Sequence, residues 1–161
     1  MSATCEAGDV APNFNLSTDE EKRIGLQDYR GKALVLYFYP KDDTSGCTAE
    51  AIAFNGLRKE FAKTGATILG VSPDSTKSHA KFKTKHELGI DLGADKEKTV
   101  ATAYGVWVEK SMYGRKYMGV ERTTFLIGPD GRIARVWRKV KVPGHAEEAL
   151  AAAGALKAQK A

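Results

Sequence analysis

Two seven-residue runs, ALVLYFY (33–39) and ATILGVS (66–72), are largely apolar and rich in β-formers. Continuous apolar runs of that length belong to strands covered on both faces, not to half-exposed ones. Between them, from Thr48 onward, Ile52, Phe54, Leu57 and Phe61 keep a helical spacing, and Gly65 is a natural helix stop. This stretch therefore reads as strand, helix, strand. Upstream, FNLST (14–18) and RIGLQDY (23–29) flank the polar DEEK (19–22) and predict a hairpin. Downstream, Pro73 ends the second buried strand, a polar stretch over about 75–88 reads as helix, and KEKTVATAYGV (96–106) as a shorter one. TTFLIG (123–128) and RIARVWR (132–138) flank Pro129-Asp130-Gly131, a turn sequence, and predict a second hairpin. HAEEALAAAGALKAQKA (145–161) is an Ala-rich helix expected to fray at its end. The order predicts an α/β fold, a mixed β-sheet flanked by helices, in one domain over 1–161, with 1–7 and 155–161 mobile.

Composition narrows the class without changing the fold. At 161 residues, 42% hydrophobic and 28% charged, the chain is an ordinary soluble domain. The net charge of +5 is spread among acids, and the densest basic segment, RVWRKVKV (135–142), alternates like a strand with one solvated face. No nucleic-acid partner is expected. MSATCEAGDVAPNF has neither the basic n-region nor the apolar h-region of a signal peptide, and its acids and lack of arginine argue against a transit peptide. No run is long enough to span a bilayer, so no membrane partner is expected and a cytoplasmic location is. Two cysteines, at 5 and 47, make no disulfide framework. In a reducing compartment a retained thiol is inert or catalytic.

The candidate chemistry lies in PKDDTSGCTAEA (40–51), where a loop after the first buried strand gives way to helix formers at Cys47. In α/β sheets the carboxyl ends of strands are where chemistry gathers. A helix N-terminus favours the thiolate, the reactive form of cysteine, through its free N–H groups and dipole. Thr44 or Ser45 can cap that helix. Thr44, three residues before Cys47, can also set a hydroxyl beside the sulfur, and Pro40 can shield the site without a competing N–H. Asp42 and Asp43 would oppose a thiolate if they faced it. A cation must then come from elsewhere in the fold. Taken alone, a single cysteine such as Cys47 near a helix start is more often a small buried hydrophobe than a nucleophile.

The spacing Pro40-x-x-x-Thr44-x-x-Cys47 resembles the active-site motif of the peroxiredoxins, and YFYPKDDTSGCTAEA resembles that of the Q-type branch, the bacterioferritin comigratory protein group. YGVWVEKSMYGRKYMGVERTTFLIGPDGRI (104–133) resembles the second half of the same branch, and the likeness extends over roughly residues 8–149. The resemblance implies a thioredoxin-like fold with an N-terminal β-hairpin, and a peroxidase that reduces hydrogen peroxide or organic hydroperoxides through a cysteine sulfenic acid. It requires no cofactor. It makes Cys47 the peroxidatic nucleophile, Thr44 the peroxide-binding hydroxyl, Pro40 the shield and Arg122 the cation. Glu50 is either the partner that orients Arg122 or a first-turn acid favoured by the helix dipole.

One departure from the branch bears on the reaction. The resolving cysteine that many members carry five residues after the first is Ile52 here, and STKSHAKFKTKHELG (75–89) holds none. Ser45 also stands where proline is common. The chain therefore reads as a one-cysteine enzyme resolved by an external thiol (thioredoxin, glutaredoxin or glutathione). Cys5 is the sole internal alternative, as a resolver within or between chains, or as a bystander. A C-x-x-C oxidoreductase is disfavoured because Thr48-Ala49-Glu50 follows Cys47; a non-catalytic binding module with an inert thiol is the remaining alternative. His79, His86 and His145 lack metal-ligand spacing, so no metal is expected, and His79 and His86 are expected on a solvated helix face. Tyr37, Phe38, Tyr39, Trp107 and Trp137 are expected in the core. With no large exposed apolar face apparent, a monomer is expected.

Overall fold

The strand that organises the molecule is β3 (Ala33–Phe38), buried at every position in a computed structural model that describes residues 5–18 and 22–159. Its alternate side chains enter two cores. Leu34, Leu36 and Phe38 face one side of the sheet, and Val35 and Tyr37, with Tyr39 beyond the strand end, face the other. Six further strands flank it: β1 (Asn15–Thr18), β2 (Arg23–Gly25), β4 (Ala66–Ser72), β5 (Asp91–Ala94), β8 (Thr123–Ile127) and β9 (Ile133–Trp137). The sheet order is β2-β1-β5-β4-β3-β8-β9, with β3, β4 and β5 parallel and the other pairings antiparallel. The expected mixed sheet and both hairpins are present. The first hairpin is shorter than expected, because residues 26–29 form a 3₁₀ turn, and residues 19–21 lie outside the described residues.

The helices are α1 (Ser45–Gly56), α2 (Arg58–Lys63), α3 (Thr76–His86), α4 (Thr99–Ala103) and α5 (His145–Gln159). Phe54 of α1, Phe61 of α2, Phe82 of α3 and Ala149 of α5 pack into the core that holds Tyr37, and Val100 of α4 packs into the opposite one. The single helix expected between β3 and β4 is broken at Leu57, whose φ of −103° and ψ of 6° leave the helical range. There the carbonyl of Asn55 accepts from Arg58 Nη1, while the Asn55 side chain accepts from the Gly89 amide. Gly65, with φ of +80°, ends the pair as expected.

Two further expectations are corrected, and three strands appear that the sequence reading did not place. β5 and an outlying antiparallel arm, β6 (Trp107–Met112) with β7 (Arg115–Val120), had no apolar alternation to announce them. The arm turns at Tyr113 and Gly114, both at positive φ, and exposes Met112, Tyr113, Tyr117 and Met118. Trp107 is only half-buried, packed against the core edge. Cys5, expected in a mobile segment, is buried at 6% exposure beneath α4, its Sγ directed at the Ala103 carbonyl and its own carbonyl accepting from Arg138. No helix among the described residues is long and apolar enough to cross a membrane.

Gly70 shows how closely β3 and β4 are fitted. A Cβ there would stand 2.7 Å from Cζ and 2.8 Å from the hydroxyl of Tyr37, a ring that is fully buried and stacked on Phe54. Gly70→Ala is expected to cost about 1–3 kcal/mol, the usual range for overpacking a core, read from the midpoint of denaturant unfolding.

Candidate active site

β3 ends at Phe38, and the loop 39–44 delivers the chain to α1, with Thr44 at its N-cap and Cys47 in its first turn. The Thr44 side chain makes no capping bond; its hydroxyl donates to the Lys41 carbonyl at 2.9 Å. Its proton is thus spent locally, and its oxygen lone pairs are left for an incoming donor. Pro40 follows the strand half-buried.

The cation arrives from the opposite end of the chain. Arg122 immediately precedes β8, whose antiparallel pairing sets Thr123 opposite Phe38, and so brings position 122 to the carboxyl end of β3. Its Nη2 donates to Cys47 Sγ at 3.4 Å and its Nη1 to Glu50 Oε1 at 2.6 Å. Glu50 is one turn along α1 from Cys47, so the two point the same way and one planar guanidinium reaches both. Cys47 and Glu50 are each 1% exposed, which keeps both contacts out of water's screening. Gly46 leaves room for the guanidinium, since a Cβ there would lie 3.2 Å from Nη2.

Burial pushes the Glu50 carboxyl up to about 7, although the Arg122 charge and hydrogen bond pull it down. Desolvation works against the charge of Arg122, but Glu50 and Cys47 outweigh it and hold the guanidinium above its ordinary value. Among the described residues, Glu50 Oε2 and the Tyr37 hydroxyl are buried with no hydrogen-bond partner.

The two carboxylates that threatened a thiolate are directed elsewhere. Asp43, at φ of 62°, pairs with Lys85 at 2.7 Å and His86 at 3.0 Å. Asp42 turns under α3 to Tyr39, Ser78 and His79. His79 is therefore not solvated, as its polar neighbours had suggested, but fully buried. A signal was present: His79 and Phe82 stand three apart, on one inward face of α3. His86 is half-buried, its ring edge-on to Phe82, and His145 is buried against Thr124, Phe54 and Trp137. Cys5 is not brought to the site. It belongs to the core with Leu36 and Tyr104, whereas Cys47 belongs to the core with Tyr37 and Phe54 across the sheet. Both thiols are free.

A family model described as AhpC/TSA matches residues 7–136. The chain belongs to the AhpC/TSA family. A putative peroxiredoxin bcp of Coxiella burnetii is 50% identical over 145 residues, covering 90% of this chain and 96% of the relative. The peroxiredoxin Bcp of Bacillus subtilis is 50% identical over 147 residues, covering 91% and 94%. The solved structure of Xanthomonas campestris peroxiredoxin Q superposes with a TM-score of 0.88 at 44% identity, covering 98% of this chain and 99% of that one. The resemblance seen in the sequence is borne out, and so is the thioredoxin-like α/β fold it implied.

Two outcomes follow from this geometry. A carboxyl group raised from 4.5 to about 7 contributes stability that is complete below the unfolded value and lost as pH rises through the folded one. Glu50→Gln is expected to flatten that decline, measured as the difference in Tm between about pH 5 and about pH 8. Gly46→Ala displaces the guanidinium by a few tenths of an ångström, and is expected to slow peroxide reduction by roughly tenfold with little change in Tm.

Proposed function

We propose that this thiol-dependent peroxidase works through Cys47 as its peroxidatic nucleophile, in a one-cysteine cycle completed by an external thiol. The observation that carries the reading is the single guanidinium donating to Cys47 Sγ and Glu50 Oε1 together. It supplies the cation that the local sequence lacks, at a buried sulfur where an uncompensated thiolate would be costly. Arg122 and the α1 amides favour the thiolate, and Thr44 Oγ1 accepts from the hydroperoxide O–H. Pro40 shields the sulfur from bulk water.

In the first step the thiolate attacks the terminal oxygen of ROOH. The S–O bond forms as the O–O bond breaks, and RO⁻ leaves and takes a proton as alcohol or water. Arg122 stabilises the charge gathering on the leaving oxygen. Cys47 is oxidised to sulfenic acid. A thiol R′SH then forms a mixed disulfide with Cys47 and releases water, and a second R′SH liberates the Cys47 thiol and R′SSR′. A solved Xanthomonas campestris bacterioferritin comigratory protein is described in terms of alkyl peroxide reduction, which supports organic hydroperoxides as substrates here.

Cys5 is a poor resolver. Desolvation, with Asp9 and Glu6, raises its pKa against the opposing charge of Arg138, and the sheet lies between it and Cys47. The physiological reductant is accordingly a thioredoxin, a glutaredoxin or glutathione. Intact mass after one equivalent of hydrogen peroxide, without reductant, tests the cycle. Gain of oxygen on Cys47, unchanged in Cys5→Ser and reversed by added thiol, is expected. Loss of two hydrogens, or a disulfide-linked dimer, that vanishes in Cys5→Ser makes Cys5 the resolver. An unchanged mass removes Cys47 from the chemistry.

A further inference from the structure

Of the six large hydrophobic side chains exposed among the described residues, four fall within seven positions of the β6–β7 arm: Met112, Tyr113, Tyr117 and Met118. Single exposed hydrophobics are ordinary, but a cluster rich in Tyr and Met has the composition of a protein interface. The arm forms a two-stranded sheet of its own, and such a hairpin is marginal in water unless its root is held. The root is Val106 and Val120, buried in the core that holds Phe38, and the Glu121 amide donates to the Val106 carbonyl at 2.8 Å. Two residues beyond Val120 comes Arg122, whose Nη2 reaches Cys47 Sγ. Six residues per strand carry the tip about 20 Å from that root. The arm thus begins two residues from the arginine on the reactive sulfur and ends in solvent, with Tyr113 at its turn 97% exposed.

Register separates the two faces of the arm. Val108 stands opposite Gly119, Lys110 opposite Tyr117 and Met112 opposite Arg115, so these six share a face. The bare backbone of Gly119 keeps that face close: a Cβ there would lie 3.2 Å from Lys110 Cδ and 3.5 Å from Tyr117 Cε2. The arm's one acid, Glu109, stands opposite Met118 on the other face, beside Ser111 and Lys116. One face is therefore apolar with two cations and no carboxylate of its own. Among the described residues neither Lys110 nor Arg115 has an ion-pair partner. A second copy of this chain is a poor occupant. Two-fold pairing of this face would set its cations against their own images, between chains that each carry +5. The complementary surface is apolar and bordered by carboxylates.

We propose that this face of the arm, with Lys110, Met112, Arg115 and Tyr117, is the docking surface for the protein that reduces oxidised Cys47: a dithiol protein whose reactive thiol lies in an apolar patch bordered by Asp and Glu. This rests on the one-cysteine cycle proposed above and names the class of external thiol that serves it. With Cys47 1% exposed, a bulky thiol rarely meets an open sulfur, and a partner held on the arm is present at high effective concentration when one opens. The partner's first thiol forms an S–S bond with the Cys47 sulfur as the sulfenic S–O bond breaks, and its proton leaves with the oxygen as water. The partner's second thiol then attacks the partner sulfur of that mixed disulfide. Cys47 leaves as a thiol, reduced by two electrons, and the partner departs as an internal disulfide. A small thiol such as glutathione covers no such surface and gains nothing from the arm.

The test follows peroxide turnover with two protein reductants of acidic pI, a thioredoxin recycled by its reductase and NADPH and a glutaredoxin recycled by glutathione. Dithiothreitol serves as the small-thiol comparison. Arg115→Glu and Lys116→Glu change the net charge equally on neighbouring, exposed positions that face opposite ways. Arg115→Glu and Tyr117→Ser are expected to raise the KM for the protein reductant about fivefold or more. Lys116→Glu is expected to change it less than about twofold, and all three variants to keep the dithiothreitol rate within about twofold of the parent. An unchanged KM in Arg115→Glu and Tyr117→Ser, an effect of Lys116→Glu as large as that of Arg115→Glu, or an equal loss with dithiothreitol overturns the proposal. So does a parent dimer in sedimentation velocity that Tyr117→Ser dissociates, which gives the face to a second copy. A parent turned over by dithiothreitol but by neither protein also overturns it and leaves the one-cysteine cycle standing. A parent turned over by no thiol removes that cycle, and the docking surface with it.

Discussion

One guanidinium sets the terms for this site. Arg122 donates from its two terminal nitrogens to Glu50 and Cys47, which belong to the same face of α1. Both acceptors are sealed from solvent, so the arrangement exists only while the cation is in place. Removing the arginine would leave a carboxyl and a thiol with buried anionic forms and nothing to balance them. The antiparallel register of β3 and β8 is what carries Arg122 there, and the glycine at position 46 is what lets it approach. Packing of the central strand and chemistry of the loop therefore depend on each other.

Charge is sorted around this centre more than it is supplied. The loop carries two aspartates within five residues of the thiol, an arrangement that by itself would oppose a thiolate. α3 takes both: Asp43 outward to Lys85 and His86, Asp42 inward to His79 and Ser78. The α1 dipole and Arg122 are then left to act on the sulfur with little opposition. The lysines and histidines of α3, which look like decoration on a solvated helix, are the counterpart of an acidic loop.

Burial of Cys47 has a second consequence. At 1% exposure the sulfur is reached by a small peroxide far more readily than by a bulky thiol. In the one-cysteine cycle proposed above, with Cys5 in the other core layer, the reductant approaches from outside the chain. On that proposal the loop that shields the sulfur is also the barrier to the thiol step, and the contacts between that loop and α3 set how firmly it is held.

Much of this was written locally in the sequence. The apolar runs at 33–39 and 66–72 require doubly covered strands, Pro129-Asp130-Gly131 requires a turn, and Pro40, Thr44 and Cys47 stand at a spacing that resembles the peroxiredoxin motif. Each depends on neighbours within a few residues, which is the range over which propensity and periodicity act. The motif likeness extended this to Arg122, whose distance along the chain no local rule bridges. The break at Leu57 and strand β5 were not legible, because each is held by contacts whose partners lie far off in sequence; the arm at 107–120 is a local hairpin, but no apolar alternation announces it. The buried state of His79 was decided in the same way. Its neighbours in sequence are polar, but Asp42 and Gly93 come to it only when β3, α3 and β5 are assembled, and a polar ring can be buried only where its partners meet it.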